Sequence, residues 1–129
     1  MFGLFLLTAA AVFQQEASYK PVANNAQLMR AFIIPSSDAL FDVSLEAPKN
    51  GAEWTAIENH ALILAESGNL MMMVPRASEG VWMKESRALV DAGAAAFKAA
   101  QAKDVERLVE IGDEILATCK GCHDKYLFK

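Results

Sequence analysis

A chain of 129 residues is the size of one domain, and an apolar share of 53% is enough to build one core. Its net charge of −4 at pH 7 offers no basic face to a phosphate backbone, which excludes nucleic acid as a partner. Carboxylates fall at solvent-face spacing, no serine lies in a nucleophile motif and no glycine-rich phosphate loop follows a strand, so the expectation is a protein that is not an enzyme.

The chain opens with an apolar run, Phe2 to Phe13, broken only by Gly3 and Thr8. The run is too short for a comfortable membrane span and reads as the h-region of a signal peptide, with Ala9-Ala10-Ala11 as a loose cleavage site. No Lys or Arg precedes it, so a retained N-terminal anchor is the alternative. Residues 1–20, including the polar stretch Gln14 to Lys20, are therefore expected to be a leader or anchor plus a linker. Either way the chain is expected to be exported, and only a retained segment would tie it to a membrane. Residues 21–129 contain no second run long enough to span.

From Val22 the apolar residues recur at helical spacing through Ala26, Met29, Phe32 or Ile33, Leu40 and Val43, which predicts helix one. Pro35 falls inside that pattern, where it removes a backbone bond and crowds the previous turn, so a kink or break is expected at Ile34-Pro35. Ser36, Ser37 and Asp38 are placed to cap a restarted helix. Ala47 to Gly51 has turn composition, and Asn50 with Glu53 has capping-box spacing. Trp54, Ile57, Ala61, Leu64, Gly68 and Met71 then predict helix two, running to Met73. Val74-Pro75-Arg76 ends it. Ser78 and Glu79 open helix three, which continues through Trp82, Leu89, Ala92, Ala96 and Ala99 to Gln101. Its alanines favour helix and close approach by a neighbour.

Helix four has the clearest pattern: Val105, Leu108, Gly112, Ile115, Cys119, Cys122 and Tyr126 step by three and four without a miss. Asp104 is its expected N-cap, and Gly112, a poor helix former, suggests close contact with a neighbouring helix. No segment alternates like a strand. Four helices with short connections predict an all-α, up-down-up-down bundle.

The last helix carries Cys119-Lys120-Gly121-Cys122-His123, the spacing of covalent c-type haem attachment. On a helix the two thiols share a face, where each can form a thioether with one porphyrin vinyl group. His123, four residues from Cys119, can reach the iron from the same side as proximal axial ligand. A redox dithiol would be expected where a strand opens into a helix, and this motif closes a helical pattern. A structural zinc site would need a fourth ligand, and the other histidine, His60, lies far upstream with no cysteine beside it. Two buried structural cysteines would leave His123 unexplained.

With Asp124-Lys125-Tyr126 after it, this lone motif at the end of a four-helix chain resembles the class II c-type cytochromes, the family of the high-spin cytochromes c′ and their low-spin relatives. The likeness covers Val22 to Phe128 as an arrangement of helices, while the specific motif is confined to helix four. Helix one departs from the commonest cytochrome c′ pattern: it has no Arg-Gln pair, and Pro35 interrupts it. The resemblance implies one covalent haem c, a periplasmic location, single-electron carriage and a redox partner protein. It leaves a homodimer through the first two helices open.

The resemblance also frames the sixth iron position. Six residues follow His123 and none is Met, so a distal ligand must come from upstream. Low-spin class II proteins place a methionine in helix one, and Met29 in Gln27-Leu28-Met29-Arg30 stands at the corresponding depth. Leu28 there would instead leave the iron five-coordinate, suited to binding a small gas such as nitric oxide. Core packing is the ordinary role of such a methionine. Met71, Met72, Met73 and Met83 are expected to pack, and His60 as a second histidine ligand is the lesser alternative. Trp54, Phe32, Trp82 and Phe97 are expected as core or haem-wall aromatics. Lys120, Lys125 and Lys129 suggest either a positive rim for an acidic partner or complements to a helix C-terminus.

Overall fold

The computed structural model describes residues 19–127, and among them every regular element is helical. Phe2 to Phe13, its cleavage motif, the stretch from Gln14 to Ser18, and Phe128 and Lys129 lie outside the described residues.

The first rod, α1, is a composite of α-helical Asn25–Leu28, π-helical Met29–Ile33 and α-helical Ile34–Asp42. It starts later than the apolar spacing suggests, because a capping box fixes the entry. Asn24 Oδ1 accepts the Gln27 N–H and Gln27 Oε1 accepts the Asn24 N–H, both at 2.9 Å. Val22 is left outside and 92% exposed.

Pro35 does not break the rod. In α geometry its ring would crowd the carbonyl of Ala31 and leave a bond unmade. The chain instead widens just upstream, the Ile34 N–H reaching Met29 O, and Pro35 falls in the first turn of the next α segment, where a missing N–H costs little. Ser36 and Ser37 therefore do not cap a restart. They are buried within the rod, Ser37 Oγ donating to the carbonyls of Ile33 at 2.9 Å and Ile34 at 3.0 Å.

Helix α2 is Gly51–Met71. Asn50 accepts the Glu53 N–H at 3.0 Å, while the Glu53 carboxylate turns back to the Lys49 N–H and Asn50 Nδ2, a negative charge set where the helix dipole favours it. Helix α3, Val81–Gln101, is not opened by Ser78 or Glu79 as expected. Gly80 precedes it at φ +66°, a conformation that glycine adopts without a Cβ penalty, and this delays the start to Val81. Helix α4 is Val105–Tyr126, capped by Asp104, which accepts the Arg107 N–H at 3.0 Å. The link from α3 is tight enough to hold Lys103 at φ 55°.

Successive helices pack as neighbours, most extensively α2 on α3, and α4 closes back onto α1 to complete a four-helix bundle. Leu28, Leu40, Leu64, Leu108, Ile111 and Ile115 form its fully buried centre. The buried stripe of α4 is wider than a two-position seam, for Ile111 and Thr118 are also buried, because this helix covers both α3 and α1. Trp54 and Trp82 are buried and Phe97 packs against the core, but Phe32 is 43% exposed and Ile33 takes the inward position.

The closest helix approach is not at Gly112 but along α3, where its alanines lead one to expect a near neighbour. A Cβ at Gly112 would make ordinary contact with Phe41 at 3.5 Å. At Gly68 it would stand 2.7 Å from Ser86 O, and at Gly93 2.6 Å from Ala65 N. These two glycines let α2 and α3 meet nearly backbone to backbone. Buried Arg76, in the α2–α3 link, donates to Ala23 O, Leu70 O and the Tyr19 hydroxyl, tying the segment before α1 to the end of α2. No helix among the described residues is long and apolar enough to cross a membrane.

Candidate haem-attachment site

The four helices converge on one cleft containing about 520 Å³ of space not filled by atoms, its open mouth included. The enclosed part is about 70 Å³, below the roughly 300–1,000 Å³ of small-molecule and cofactor sites, so a guest of that size would lie largely across the open mouth. Helix α4 contributes Thr118, Cys119, Cys122 and His123; α1 contributes Met29, Ile33, Ile34 and Ser37. Met71 closes it from the end of α2, and Glu85, Ser86 and Leu89 from α3. The walls are mainly apolar, as is usual for a small-molecule site.

Met29, Cys119, Cys122 and His123, all singled out in the sequence, thus line the same space. The α-helical spacing of the last three does this on one helix, and the π-turn that begins at Met29 supplies the contribution from α1. Leu28 does not line the cleft: it is fully buried in the bundle centre. His60 is also elsewhere, in a separate groove with Asp42, Glu46 and Glu53, its Nδ1 3.3 Å from Ser36 Oγ.

Neither thiol is in a disulfide, and both are half-buried. Burial pushes the Cys119 thiol up from its ordinary value, against a lowering hydrogen bond from Thr118. Burial also pushes the Cys122 thiol up, and the negative charge of Glu85 adds to it. The neutral thiol is the form kept in this cleft.

An aromatic pair joins the ends of three helices. Trp82 donates its indole N–H to Met71 O at 2.8 Å, and its ring meets that of Tyr126 edge to face at 5.3 Å. The Tyr126 hydroxyl accepts the Trp82 N–H at 3.3 Å and donates to Glu79 O at 3.4 Å. The last turn of α4 is thereby fixed to the start of α3 and the end of α2. Of the lysines expected to make a positive rim, Lys120 is paired with Asp124 at 2.8 Å and Lys125 lies over the Tyr126 ring.

Met71 and Glu85 also line the cleft and are not among the site residues to which the sequence points. Met71 was assigned to packing, and its depth in the cleft depends on where α2 ends. Glu85 had a signal: it lies three residues after Trp82 and four before Leu89, a carboxylate in the apolar seam of α3.

Among the described residues, no group of three or more His, Cys, Asp or Glu side chains is placed to hold a metal ion. Comparison with protein-family models, with curated proteins and with solved structures gave no match.

Proposed function

We propose that this chain is a single-haem c-type cytochrome of the class II kind, carrying one electron between redox partner proteins in the periplasm. The observation that carries the reading is the convergence of Cys119, Cys122, His123 and Met29 on one apolar cleft among four helices. Bound there, the haem would supply the redox chemistry, its iron alternating between ferrous and ferric states.

The chain's own residues divide the remaining work. Cys119 and Cys122, one turn apart on the same wall, are the tethering thiols. His123 would supply an imidazole nitrogen to the iron, and Met29 a thioether sulfur. A donor set of this kind suits an iron already held by four porphyrin nitrogens, which asks only two axial ligands of the protein. Leu89, Ile33 and Ile34 exclude water from the walls. The Trp82–Tyr126 frame holds the end of α4 against oxidation-linked movement. On this reading the residues before Tyr19 direct export, as haem attachment to cysteines in an exported compartment requires.

The test has two stages. The protein, produced with haem-attachment machinery in an exported compartment, is run on a denaturing gel and stained for haem; covalent stain, lost in the Cys119→Ala/Cys122→Ala variant, is expected. Absence of stain in the native sequence overturns the reading. The visible spectrum then fixes the ligands: a low-spin ferric spectrum with a sulfur-to-iron charge-transfer band, lost in Met29→Ala, is expected. A high-spin spectrum unchanged by Met29→Ala would favour the five-coordinate, gas-binding alternative.

A further inference from the structure

The carboxylate of Glu85 sits where the haem motif itself makes room for it. Its side chain is 12% exposed, and it lines the cleft together with Cys119, Cys122 and His123. It packs against the backbone of Gly121, in the middle of the Cys119-to-His123 motif: a Cβ there would lie 2.9 Å from the Glu85 carboxyl carbon and from Oε1. The ion partner of Glu85 is Lys84 Nζ at 3.2 Å, on a side chain 78% exposed, so the compensating charge is bathed in water while the carboxylate is not. The cleft residues from α1 and α2 bring no second charge: they are Met29, Ile33, Ile34, Ser37 and Met71.

A carboxylate in the apolar seam of a helix carries a desolvation cost, and packing alone would be served better by Leu or Gln. From the packing of Glu85 over Gly121 and its shared cleft with His123, we infer that Glu85 is a tuning residue that lowers the reduction potential of the haem held at Cys119 and Cys122. The physical reason is sign. Oxidation leaves one more positive charge on the iron, and a fixed anion in low dielectric stabilises that state over the reduced one. Glu85 thus opposes Met29, whose thioether favours the reduced state. Gly121 is part of the device, because any side chain there would push the carboxylate away.

This inference rests on the haem reading above. Its test is a spectroelectrochemical titration of the haem-loaded protein at constant pH. In Glu85→Gln, which keeps the shape and removes the charge, the reduced-to-oxidised ratio at a fixed solution potential is expected to rise on the order of tenfold. Gly121→Ala is expected to shift it the same way by less, and the double variant no further than Glu85→Gln. Glu106→Gln, at the far end of α4 and exposed, is expected to change nothing and reports the effect of net charge alone. Covalent haem with a ratio changed less than about twofold in Glu85→Gln, or changed equally in Glu106→Gln, overturns this inference and leaves the haem reading standing. Absence of covalent haem in the native sequence overturns both.

Discussion

The two sides of this bundle are built on opposite rules. Between α2 and α3, Gly68 and Gly93 remove every atom that would keep the helices apart, and the backbones meet. Between α1 and the end of α4, side chains line a cleft, and polar groups are among them: Ser37, Glu85, Ser86, Thr118 and the two thiols. A bundle needing only stability would close both sides alike. The closed side serves as the rigid reference against which the open side can be held at the spacing a guest requires.

That contrast can be broken most severely by filling both glycine positions of the closed side at once. Gly68→Ala and Gly93→Ala should each cost about 1–3 kcal/mol, because the atoms in the way include backbone that cannot rotate aside. The double variant would lose a large part of the roughly 5–15 kcal/mol that holds a domain together, read as a lowered urea midpoint. On the open side Met71→Ala, which empties a buried position beside the cleft, should cost about 2–4 kcal/mol. Met29→Ala, half-buried and already facing free space, should cost less than about 1.5 kcal/mol while changing the visible spectrum of the loaded protein. Equal stability losses at the two methionines would mean that Met29 is a core residue like any other.

A smaller effect separates the empty from the tethered cleft. Both thiols are raised by burial, so the folded haem-free protein holds those protons more tightly than the unfolded chain. This contribution to stability is complete below the ordinary thiol range and is lost as pH climbs through the raised values. Denaturant melts of the haem-free protein should therefore show stability falling on the alkaline side. Thioethers do not titrate, so this limb should disappear from the loaded protein. The smallest change goes the other way. Gly112→Ala meets only ordinary contact with Phe41, and the better helix former should stabilise by about 0.5–1 kcal/mol. A loss there would show that the side of α4 facing α1 is as tightly closed as the α2–α3 seam.

Much of this arrangement could be read directly in the residues. Four helices, the Asn50 and Asp104 caps, the end of α3 at Gln101 and the shared wall of Cys119, Cys122 and His123 all follow from local rules of spacing and hydrogen bonding. What local rules missed was decided between helices. Gly68, Gly93 and Gly112 look alike in sequence, and only the neighbour across the gap distinguishes a required glycine from a tolerated one. Phe32 and Ile33 competed for one inward position, and the π-turn decided for Ile33. Glu85 was hidden because a carboxylate in a seam reads as noise until the glycine it rests on is seen.

The widened turn at Met29–Ile33 makes the length of that segment as significant as its composition. It accommodates one residue more than ordinary winding would, and each residue advances an α-helix by about 100°. A deletion of a single position between Met29 and Ile33 would take up that extra residue and return the segment to ordinary winding with Leu28 still in phase, but it would bring the Pro35 ring against the carbonyl four positions before it. A one-residue insertion has no such slack and would turn Leu28 and Met29 by about 100° together, so the phase of the first two turns is a property that the chain must count out rather than spell.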